Sequence, residues 1–300
     1  MNKIIYFLTH PHFFLIGILE KWCGWIPDKA YLRMYYLLHN GEWLHLEHPV
    51  SFNEKIQWLK IYDRKPLYTV LVDKVEVKKY VKNIIGEKYI IPTLGVWNST
   101  DDIDYDSLPQ KFVLKTTHDG GGGGVIVCDK RALNKEEVKQ KLEKSLRHDI
   151  YKTLREWPYK NVVRRIMAEE YIEQYDASSK ELIDYKFFCF NGEPKFCQVK
   201  THQDSTICTD LFDMNWNLLP FTGINPNHKN AQNTPRKPEN LDQMIPLVRK
   251  LAVFSSFERI DFYNVAGKLF FGEITFYPNS GMGAFSPREY DAIVGNILNI

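Results

Sequence analysis

The segment from Arg259 to Thr275 constrains the fold more than any other part of this 300-residue chain. Two apolar runs that alternate with charged residues flank a short turn containing Gly267, a pattern that predicts an antiparallel β-hairpin. A three-residue turn over 265–267 places the glycine in the left-handed conformation that such turns need, and it pairs Asn264 with Lys268. We therefore expect an antiparallel sheet whose register follows from this turn.

That register determines which side chains share one face of the hairpin. Arg259 is expected opposite Glu273, and Asp261 opposite Phe271. Because side chains alternate along a strand, one face then carries four polar residues: Arg259, Asp261, Glu273 and Thr275. Its two carboxylates lie within about 7 Å and repel each other unless a cation lies between them. Mg²⁺ is one candidate, since it takes carboxylate and phosphate oxygens. The alternative is an Arg259–Glu273 ion pair with Asp261 in solvent.

Five consecutive glycines lie between two predicted strands over 111–115 and 125–128: Gly120, Gly121, Gly122, Gly123 and Gly124. Such a run lets backbone N–H groups approach phosphate oxygens closely. No Lys-Ser or Lys-Thr pair follows, and the next element is a strand, which excludes a Walker A loop and a Rossmann turn. With Lys115 at its entry and His118 nearby, the loop is predicted to cover a triphosphate. The alternative is a flexible hairpin tip.

The rest of the chain mixes helical and strand patterns. Helices are predicted within residues 1–66, including one after the capping box Ser51–Glu54, and over 67–84, 133–146 and 241–254. Strand candidates cover 89–92, 95–97, 166–172, 182–190, 195–200, 260–263 and 268–276. We expect an α+β fold with a helical N-terminal extension, residues 1–66, and a domain over 67–300. A smaller lobe, 67–165, carries the glycine loop, and a C-terminal lobe, 166–300, carries the candidate metal site.

Charge and cysteine content narrow the function classes. Lys plus Arg is 39 and Asp plus Glu is 37, so the net charge of +2 provides no electrostatic case for a nucleic-acid partner. The five cysteines are odd in number and have no C-x-x-C spacing. This pattern argues against a disulfide framework or a zinc site. Reduced thiols are typical of a cytoplasmic protein.

The N-terminal 26 residues are apolar without forming a long run. Thr9, His10, Pro11 and His12 interrupt the apolar stretches, so neither a membrane-spanning helix nor a signal peptide fits. A helix packed on the body of the protein is the favoured interpretation. Peripheral contact with the inner face of the membrane is the alternative, through seven apolar residues: Phe13, Phe14, Leu15, Ile16, Leu19, Trp22 and Trp25.

Two sets of motifs occur in a recognisable order. The first comprises Lys74, Lys115, Glu169–Ile172, Arg259-x-Asp261 and Glu273-x-Thr275. The second comprises Ser51–Lys60, Asp73-Lys74, Phe112–Lys115 followed by His118, Arg155–Lys160 and Asp184–Gly192. Over about residues 30–290 the chain resembles the ATP-grasp ligases, and within them the TupA-like branch of cell-surface polysaccharide biosynthesis. The resemblance implies two α+β lobes that clasp ATP.

The resemblance also implies roles for the matching residues. Lys74 and Lys115 would neutralise ATP phosphates beside the glycine loop and His118. Four hinge residues would contact adenine, mainly through their backbone: Glu169, Glu170, Tyr171 and Ile172. Asp184 and Lys186 would lie near ribose and phosphate. Asp261, Glu273 and Thr275 would hold Mg²⁺, and Arg259, Lys186 and Lys115 would offset charge on the transferred phosphoryl group.

The implied activity is an ATP- and Mg²⁺-dependent carboxylate–amine ligase that acts through an acyl phosphate. Its substrates would be a small-molecule or glycan carboxylate and an amine such as an amino acid. Two features depart from the family pattern: Thr275 stands where asparagine is common, and the N-terminal extension is helical. The alternatives are a glycosyltransferase, suggested by Asp102-Ile103-Asp104, and a small-molecule kinase.

Overall fold

The structure is a computed structural model that describes residues 11–120, 123–173, 182–203, 206–224 and 228–300. The α-helices are α1 (Pro11–Trp22), α2 (Asp28–Asn40), α3 (Phe52–Tyr62), α4 (Pro66–Val72), α5 (Glu76–Ile85), α6 (Lys135–Arg147), α7 (Ile150–Leu154), α8 (Leu241–Leu251) and α9 (Tyr290–Gly295). The strands are β1 (Thr93–Trp97), β2 (Lys111–Thr116), β3 (Val125–Asp129), β4 (Ile166–Glu170), β5 (Asp184–Phe190), β6 (Glu193–Gln203), β7 (Thr206–Asp213), β8 (Thr222–Gly223), β9 (Phe257–Val265), β10 (Lys268–Thr275) and β11 (Phe285–Ser286).

Two antiparallel sheets organise the molecule. A four-stranded sheet has the order β1-β4-β2-β3, and a five-stranded sheet has the order β10-β9-β5-β6-β7. The smaller sheet packs against α6 through a separate core that includes Phe112, Leu142 and Ile166. The larger sheet shares its core with helices α3, α4, α5 and α8. This mixture of helices and antiparallel sheets confirms the predicted α+β class.

Helix α3 begins at the predicted capping box. The Glu54 backbone N–H donates to the Ser51 hydroxyl at 3.2 Å, and the Ser51 N–H donates to the Glu54 carboxylate at 3.1 Å. Phe52 and Ile56 on this helix belong to the same buried cluster as the larger sheet. Helix α3, which precedes residue 66, thus packs on strands that follow it. The domain boundary at residue 66 stays a prediction.

A polar ladder joins α3 to the loop that follows β10. Asn53, Gln57 and Lys60 are spaced i, i+4 and i+7, so they project from one helix face, and all three are buried. Asn53 donates to the carbonyl of Gly283 at 2.7 Å. Gln57 donates to the carbonyls of Ser280 at 2.8 Å and Gly281 at 2.9 Å. Lys60 also donates to the Ser280 carbonyl, at 2.8 Å. Helix α3 thus holds the chain just downstream of the candidate metal strand.

The prediction of a single helix over 67–84 is wrong, because the helix is interrupted at Asp73 and two helices, α4 and α5, form instead. The Asp73 carboxylate accepts hydrogen bonds from the backbone N–H groups of Val75 (2.8 Å) and Glu76 (3.2 Å). Aspartate favours such local bonds over helix continuation. Arg165 also binds this carboxylate at 2.8 Å. The break places Lys74 in a turn between α4 and α5, where its side chain leaves the helix.

Three strand predictions also need correction. The strand predicted over 89–92 is wrong, because a 3₁₀ turn over Glu87–Tyr89 includes its first residue and β1 begins only at Thr93. Strand β4 ends at Glu170 rather than at residue 172. Strand β7 was not predicted, because its buried Asp210 disrupts the apolar pattern; Asn230 donates to that carboxylate at 2.9 Å.

Candidate active site

The turn between β9 and β10 differs from the predicted three-residue turn. Lys268 pairs with Val265, so the turn has two residues, Ala266 and Gly267, with φ values of 48° and 82°. Two left-handed central residues match the twist of a tight hairpin. A one-residue change of register reverses the face of every side chain. The predicted pairings of Arg259 with Glu273 and of Asp261 with Phe271 are therefore wrong.

A β-bulge restores the face that the turn would have reversed. The register shifts between Phe271 and Ile274, and Thr275 pairs with Arg259. The extra residue in β10 shifts the register by one more position, since a bulge adds one residue to one strand, and the two shifts together restore the predicted side-chain face. Glu273 and Thr275 consequently lie beside Arg259 and Asp261, as the sequence predicted, although the register is different.

Arg259 connects the two acids of the hairpin. Its Nε and Nη2 donate to the two carboxylate oxygens of Asp261, each at 2.7 Å, and Nη2 also donates to Glu273 Oε1 at 2.6 Å. The Thr275 hydroxyl donates to the same Glu273 oxygen at 3.2 Å. This bond lets Thr275 orient the Glu273 carboxylate. Asp261 is only 2% exposed, which excludes the alternative of a solvated Asp261.

Strand β5 adds Asp184 and Lys186 to this network. Lys186 is the direct cross-strand partner of Asp261, and its Nζ lies 2.6 Å from Asp261 and 2.5 Å from Asp184. Burial alone would lower the pKa of Lys186, but the carboxylates of Asp184 and Asp261 outweigh burial and raise that pKa. The second oxygen of Asp184 is buried without a hydrogen-bond partner among the residues that the structure describes. This oxygen could accept a hydrogen bond from a ribose hydroxyl.

Glu273 is the acid best placed to bind a metal ion. Its side chain is 44% exposed, and both of its hydrogen bonds reach Oε1. Burial would raise its pKa, but Arg259, Lys186 and Lys74 together lower the pKa of Glu273 to about 2. Across the described part of the chain, no group of three acid, histidine or cysteine side chains converges on a metal-sized space. Two adjacent acids nevertheless fit Mg²⁺, which often takes few carboxylates and completes its shell with phosphates and water.

The stems of the glycine loop are anchored on both sides. Lys74 Nζ donates to the carbonyl of Asp119, the residue before the glycines, and the Lys74 N–H donates to Thr117 O at 3.1 Å. The Asp119 carboxylate accepts from Ser145 Oγ at 2.5 Å and lies 3.0 Å from His148 Nδ1. Helix α6 and the turn after it therefore fix the loop entry. No sequence signal separated Asp119, Ser145 or His148 from ordinary surface residues.

The exit stem explains one of the five glycines. A Cβ built on Gly124 would lie 2.1 Å from Thr116 Oγ1 and 2.4 Å from Ser145 Oγ, both of which are buried. No side chain fits there without moving β2 or α6. Gly120 is exposed, Gly123 lies in a turn, and Gly121 and Gly122 are outside the described residues. The loop thus occurs between two paired strands, as predicted.

Lys115 lies against Glu169 on the neighbouring strand. The Glu169 side chain is buried between Lys115 and Lys78, with a Lys78 distance of 2.7 Å. Burial would raise the pKa of Glu169, but these two lysines outweigh it and lower that pKa. Lys78 was missed in the sequence, because one more lysine on a charged helix has no distinguishing pattern.

The other predicted hinge residues lie at the end of β4 or beyond it. Glu170 is exposed at the end of β4, and Tyr171 and Ile172 follow it outside any strand. Lys111 Nζ lies 5.3 Å from the centre of the Tyr171 ring. Their contact with adenine stays a prediction, and so does the role of His118. His118 is buried and turned toward the carbonyl of His148 at 3.1 Å.

Lys74 feels charges from both sheets. Burial lowers its pKa, Glu273 on the larger sheet raises it, and on the smaller sheet Lys115 lowers it and Glu169 raises it. Burial raises the pKa values of Tyr159 and Tyr263, and the charge of Glu273 raises both pKa values further. Neither tyrosine was singled out in the sequence.

The acidic Asp102-Ile103-Asp104 segment is separate from this network. Both aspartates are exposed, and Asp104 Oδ1 accepts from the backbone N–H groups of Asp106 (3.1 Å) and Ser107 (3.3 Å). These contacts close a local surface turn. The segment therefore provides no support for a sugar-nucleotide site.

The chain is similar to several solved ligases at low identity. A D-alanine–D-alanine ligase from Bacillus anthracis is 16% identical, with 75% of this chain and 63% of that chain covered and a TM-score of 0.43. An N5-carboxyaminoimidazole ribonucleotide synthetase in its ADP complex is 12% identical, with 83% and 57% covered and a TM-score of 0.44. The chain thus spans less than two thirds of each of these two proteins.

No protein with a curated description matches the chain significantly. A family model for TupA-like ATP-grasp proteins matches residues 54–299, well over half of the sequence. That match includes both sheets and every residue of the charged network described above. The chain belongs to the TupA-like ATP-grasp family.

Proposed function

We propose that the protein is an ATP- and Mg²⁺-dependent carboxylate–amine ligase. The observation that carries the proposal is the network of Lys186, Arg259, Asp261 and Glu273 on three adjacent strands. Lys74 donates to the Asp119 carbonyl at the entry of the glycine loop, and burial lowers the pKa of Lys74 while the charge of Glu273 raises it. Three cations, Lys74, Lys186 and Arg259, can neutralise a triphosphate and the charge of phosphoryl transfer. Membership of the TupA-like ATP-grasp family agrees with this activity.

Each side chain has a distinct task in the proposed reaction. Glu273 and Asp261 would hold Mg²⁺, which supplies charge neutralisation to the phosphate oxygens when bound. Lys74 and Lys115 would bind phosphates beneath the glycine loop. Asp184 would accept a hydrogen bond from ribose. Because both oxygens of Asp261 are already occupied by Arg259 and Lys186, Glu273 is the primary ligand in this assignment.

The proposed chemistry has two steps. A substrate carboxylate oxygen attacks the γ-phosphorus of ATP, the bond to the β–γ bridging oxygen breaks, and ADP leaves. Arg259 and Lys186 then stabilise the acyl phosphate through its oxygens. An amine attacks the acyl carbon, phosphate leaves, and the amine loses one proton to give the amide. Arg259 stays cationic throughout, since its neighbours Asp261 and Glu273 raise its pKa more than burial lowers it.

We further propose an acidic glycan group as the carboxylate and an amino acid as the amine, in capsular or O-antigen polysaccharide biosynthesis. The resemblance to TupA-like proteins supports this substrate class. A cytoplasmic location is part of the proposal, because ATP is available there and the five cysteines are free thiols.

The test is ADP release by the purified chain with ATP, Mg²⁺, nucleotide-linked uronic acids and a panel of amino acids. We expect ADP and an amide product by mass spectrometry only when all components are present. A phosphorylated product without an amide indicates a kinase. Tight binding of a sugar nucleotide with no ATP turnover indicates a glycosyltransferase. Either result contradicts the ligase proposal.

A further inference from the structure

Helix α1 buries only one narrow stripe of its apolar surface. Ile16 and Leu19 are 6% and 2% exposed and pack against Tyr31 and Tyr35 of α2. The other sides of the helix and the turn after it carry exposed apolar side chains: Leu15 (48%), Ile18 (38%), Trp22 (67%) and Trp25 (80%). Single exposed apolar residues are ordinary, but a group with two tryptophans marks an interaction surface.

The backbone that presents the tryptophans is firmly held. Arg155 is buried, and its Nη2 donates to the carbonyls of Gly24 at 3.1 Å and Ile26 at 3.2 Å. The Cys23 N–H continues the helix by donating to Leu19 O at 3.1 Å. Trp22 and Trp25 therefore point outward from a fixed turn, and their exposure does not come from a loose chain end.

Two lysines border this surface. Lys21 is exposed, and its Nζ lies 5.1 Å from the centre of the Trp22 ring. Lys152 is exposed and crosses the turn, since a Cβ built on Gly24 would lie 2.9 Å from its Cε. The nearby acids face other partners. Glu20 accepts from the Tyr35 hydroxyl at 2.9 Å, and Asp28 accepts from Arg64 at 2.7 Å.

Aliphatic side chains, tryptophans and lysines on one surface suit the boundary between lipid headgroups and acyl chains. Tryptophan prefers that depth, and lysine extends toward anionic headgroups. None of the helices in the described ranges is long and apolar enough to cross a membrane. We propose that one surface around α1 docks the protein onto an anionic lipid bilayer. This surface, here called the α1 surface, consists of Leu15, Ile18, Lys21, Trp22, Trp25 and Lys152. This inference is independent of the proposed ligase reaction.

Vesicle sedimentation with the full chain tests the inference. The probes are vesicles of phosphatidylcholine alone and vesicles of phosphatidylcholine and phosphatidylglycerol in equal amounts. We expect binding to the mixed vesicles, a blue shift of tryptophan fluorescence on binding, and weaker binding as salt screens the lysines. The double variant Trp22→Ser/Trp25→Ser should bind at least tenfold more weakly. Lys21→Gln/Lys152→Gln should remove the preference for anionic vesicles.

A matched control replaces exposed apolar residues outside the α1 surface. Val127 on β3 is 63% exposed and Val253 after α8 is 62% exposed, so Val127→Ser/Val253→Ser should leave vesicle binding unchanged. Equal binding by the wild type and the double tryptophan variant would overturn the inference. So would dimerisation that depends on the two tryptophans without vesicle binding, because the surface would then join two copies. ADP release is measured separately, so an inactive but vesicle-binding protein contradicts only the proposed ligase.

Discussion

Arg259 Nη2 lies 2.6 Å from Glu273 Oε1 across the bulged part of the β9–β10 hairpin. The same nitrogen lies 2.7 Å from Asp261 Oδ2, so one guanidinium joins both acids. Two carboxylates this close need a positive charge between them. In the proposed function, Glu273 would bind Mg²⁺ while its Oε1 keeps the contact with Arg259. The hairpin would then provide both a metal ligand and a fixed cation.

Replacing Glu273 with glutamine should remove most of the catalytic rate. The neutral amide keeps the shape of the side chain but loses the charge that binds Mg²⁺, so we expect kcat for ADP release to fall roughly 100-fold or more. The Mg²⁺ concentration for half-maximal rate should also rise. Thr275→Val replaces the hydroxyl that orients Glu273 with a methyl group and should weaken Mg²⁺ binding by about 10-fold.

Glu193→Gln is the matched control for this prediction. Glu193 is an exposed glutamate at the start of β6, and its partner Arg249 lies 2.8 Å away at the surface. We expect wild-type rates from it. Normal Mg²⁺ dependence in Glu273→Gln would show that the metal ligand has been assigned to the wrong residue.

Lys186→Met should destabilise the fold as well as the site. The change leaves Asp184 and Asp261 without their shared cation in a buried setting, and breaking such a group costs about 3–5 kcal/mol. Urea unfolding measures the loss. Lys141→Met is the comparison, because Lys141 and Glu137 form an exposed i,i+4 pair on α6 at 2.6 Å, and such pairs contribute roughly 0.5 kcal/mol at most. Similar losses in the two variants would mean that Asp184 and Asp261 do not depend on Lys186.

Local chemistry made much of this site predictable from the sequence. Alternation alone placed Arg259, Asp261, Glu273 and Thr275 together, even though the turn and the bulge were both missed. The two omissions each changed the register by one residue in the same direction, so their sum restored the parity of the side chains. The capping box before α3 was equally readable, because its partners are three residues apart.

Long-range contacts were not predictable in the same way. Asp119 meets Ser145 and His148 only after the smaller sheet packs on α6, and nothing local distinguishes these residues. The ladder from α3 involves Asn53, Gln57 and Lys60, which read as the polar side of an amphipathic helix. Their partners are loop carbonyls more than 200 residues away, and carbonyls have no sequence signature.

Gln57→Leu should loosen the loop that follows β10. The substitution removes two hydrogen bonds to Ser280 O and Gly281 O, and the Gly281 carbonyl then loses a buried donor. We expect a stability loss of about 1–3 kcal/mol by urea unfolding. Gln140→Leu on the exposed face of α6 should change stability by less than about 0.5 kcal/mol. An unchanged unfolding midpoint in Gln57→Leu would contradict the ladder.

The stability of the protein should fall between pH 4.5 and 8 through Glu258. Burial raises the pKa of this carboxyl to about 8, against hydrogen bonds from Ser255 and Phe254 that lower it. The folded state therefore keeps a proton that the unfolded chain releases above its ordinary pKa of 4.5. Stability from this group is full below pH 4.5 and is lost as pH rises toward 8, on the order of 3–5 kcal/mol in total.

Glu258→Gln removes that ionisation while keeping the shape of the side chain. Urea unfolding at several pH values should show a flatter profile than wild type between pH 5 and 8, with the two proteins closest at low pH. Because Asp261 lies three residues along the same strand, ADP release is measured in parallel. A wild-type pH profile in Glu258→Gln would show that the carboxyl ionises normally.

Gly124→Ala should weaken nucleotide binding through the exit stem of the glycine loop. The new methyl group would overlap Thr116 Oγ1 and Ser145 Oγ, which are 2.6 Å apart and linked to Asp119. Relief of that overlap moves the stem or breaks the Ser145–Asp119 bond, so the loop entry shifts as well. We expect the Kd for ATP to rise about tenfold, the result of losing roughly 1.4 kcal/mol.

Gly17→Ala, on an exposed turn of α1 where nothing lies within 4 Å, should leave ATP affinity unchanged and stabilise the helix by up to about 1 kcal/mol. The double variant Gly124→Ala/Ser145→Gly removes the hydroxyl with its Cβ and tests the cause. Recovery of ATP affinity relative to Gly124→Ala identifies the clash with Ser145. An equal loss identifies the remaining clash with Thr116 Oγ1, and a larger loss shows that the Ser145–Asp119 bond itself supports ATP binding.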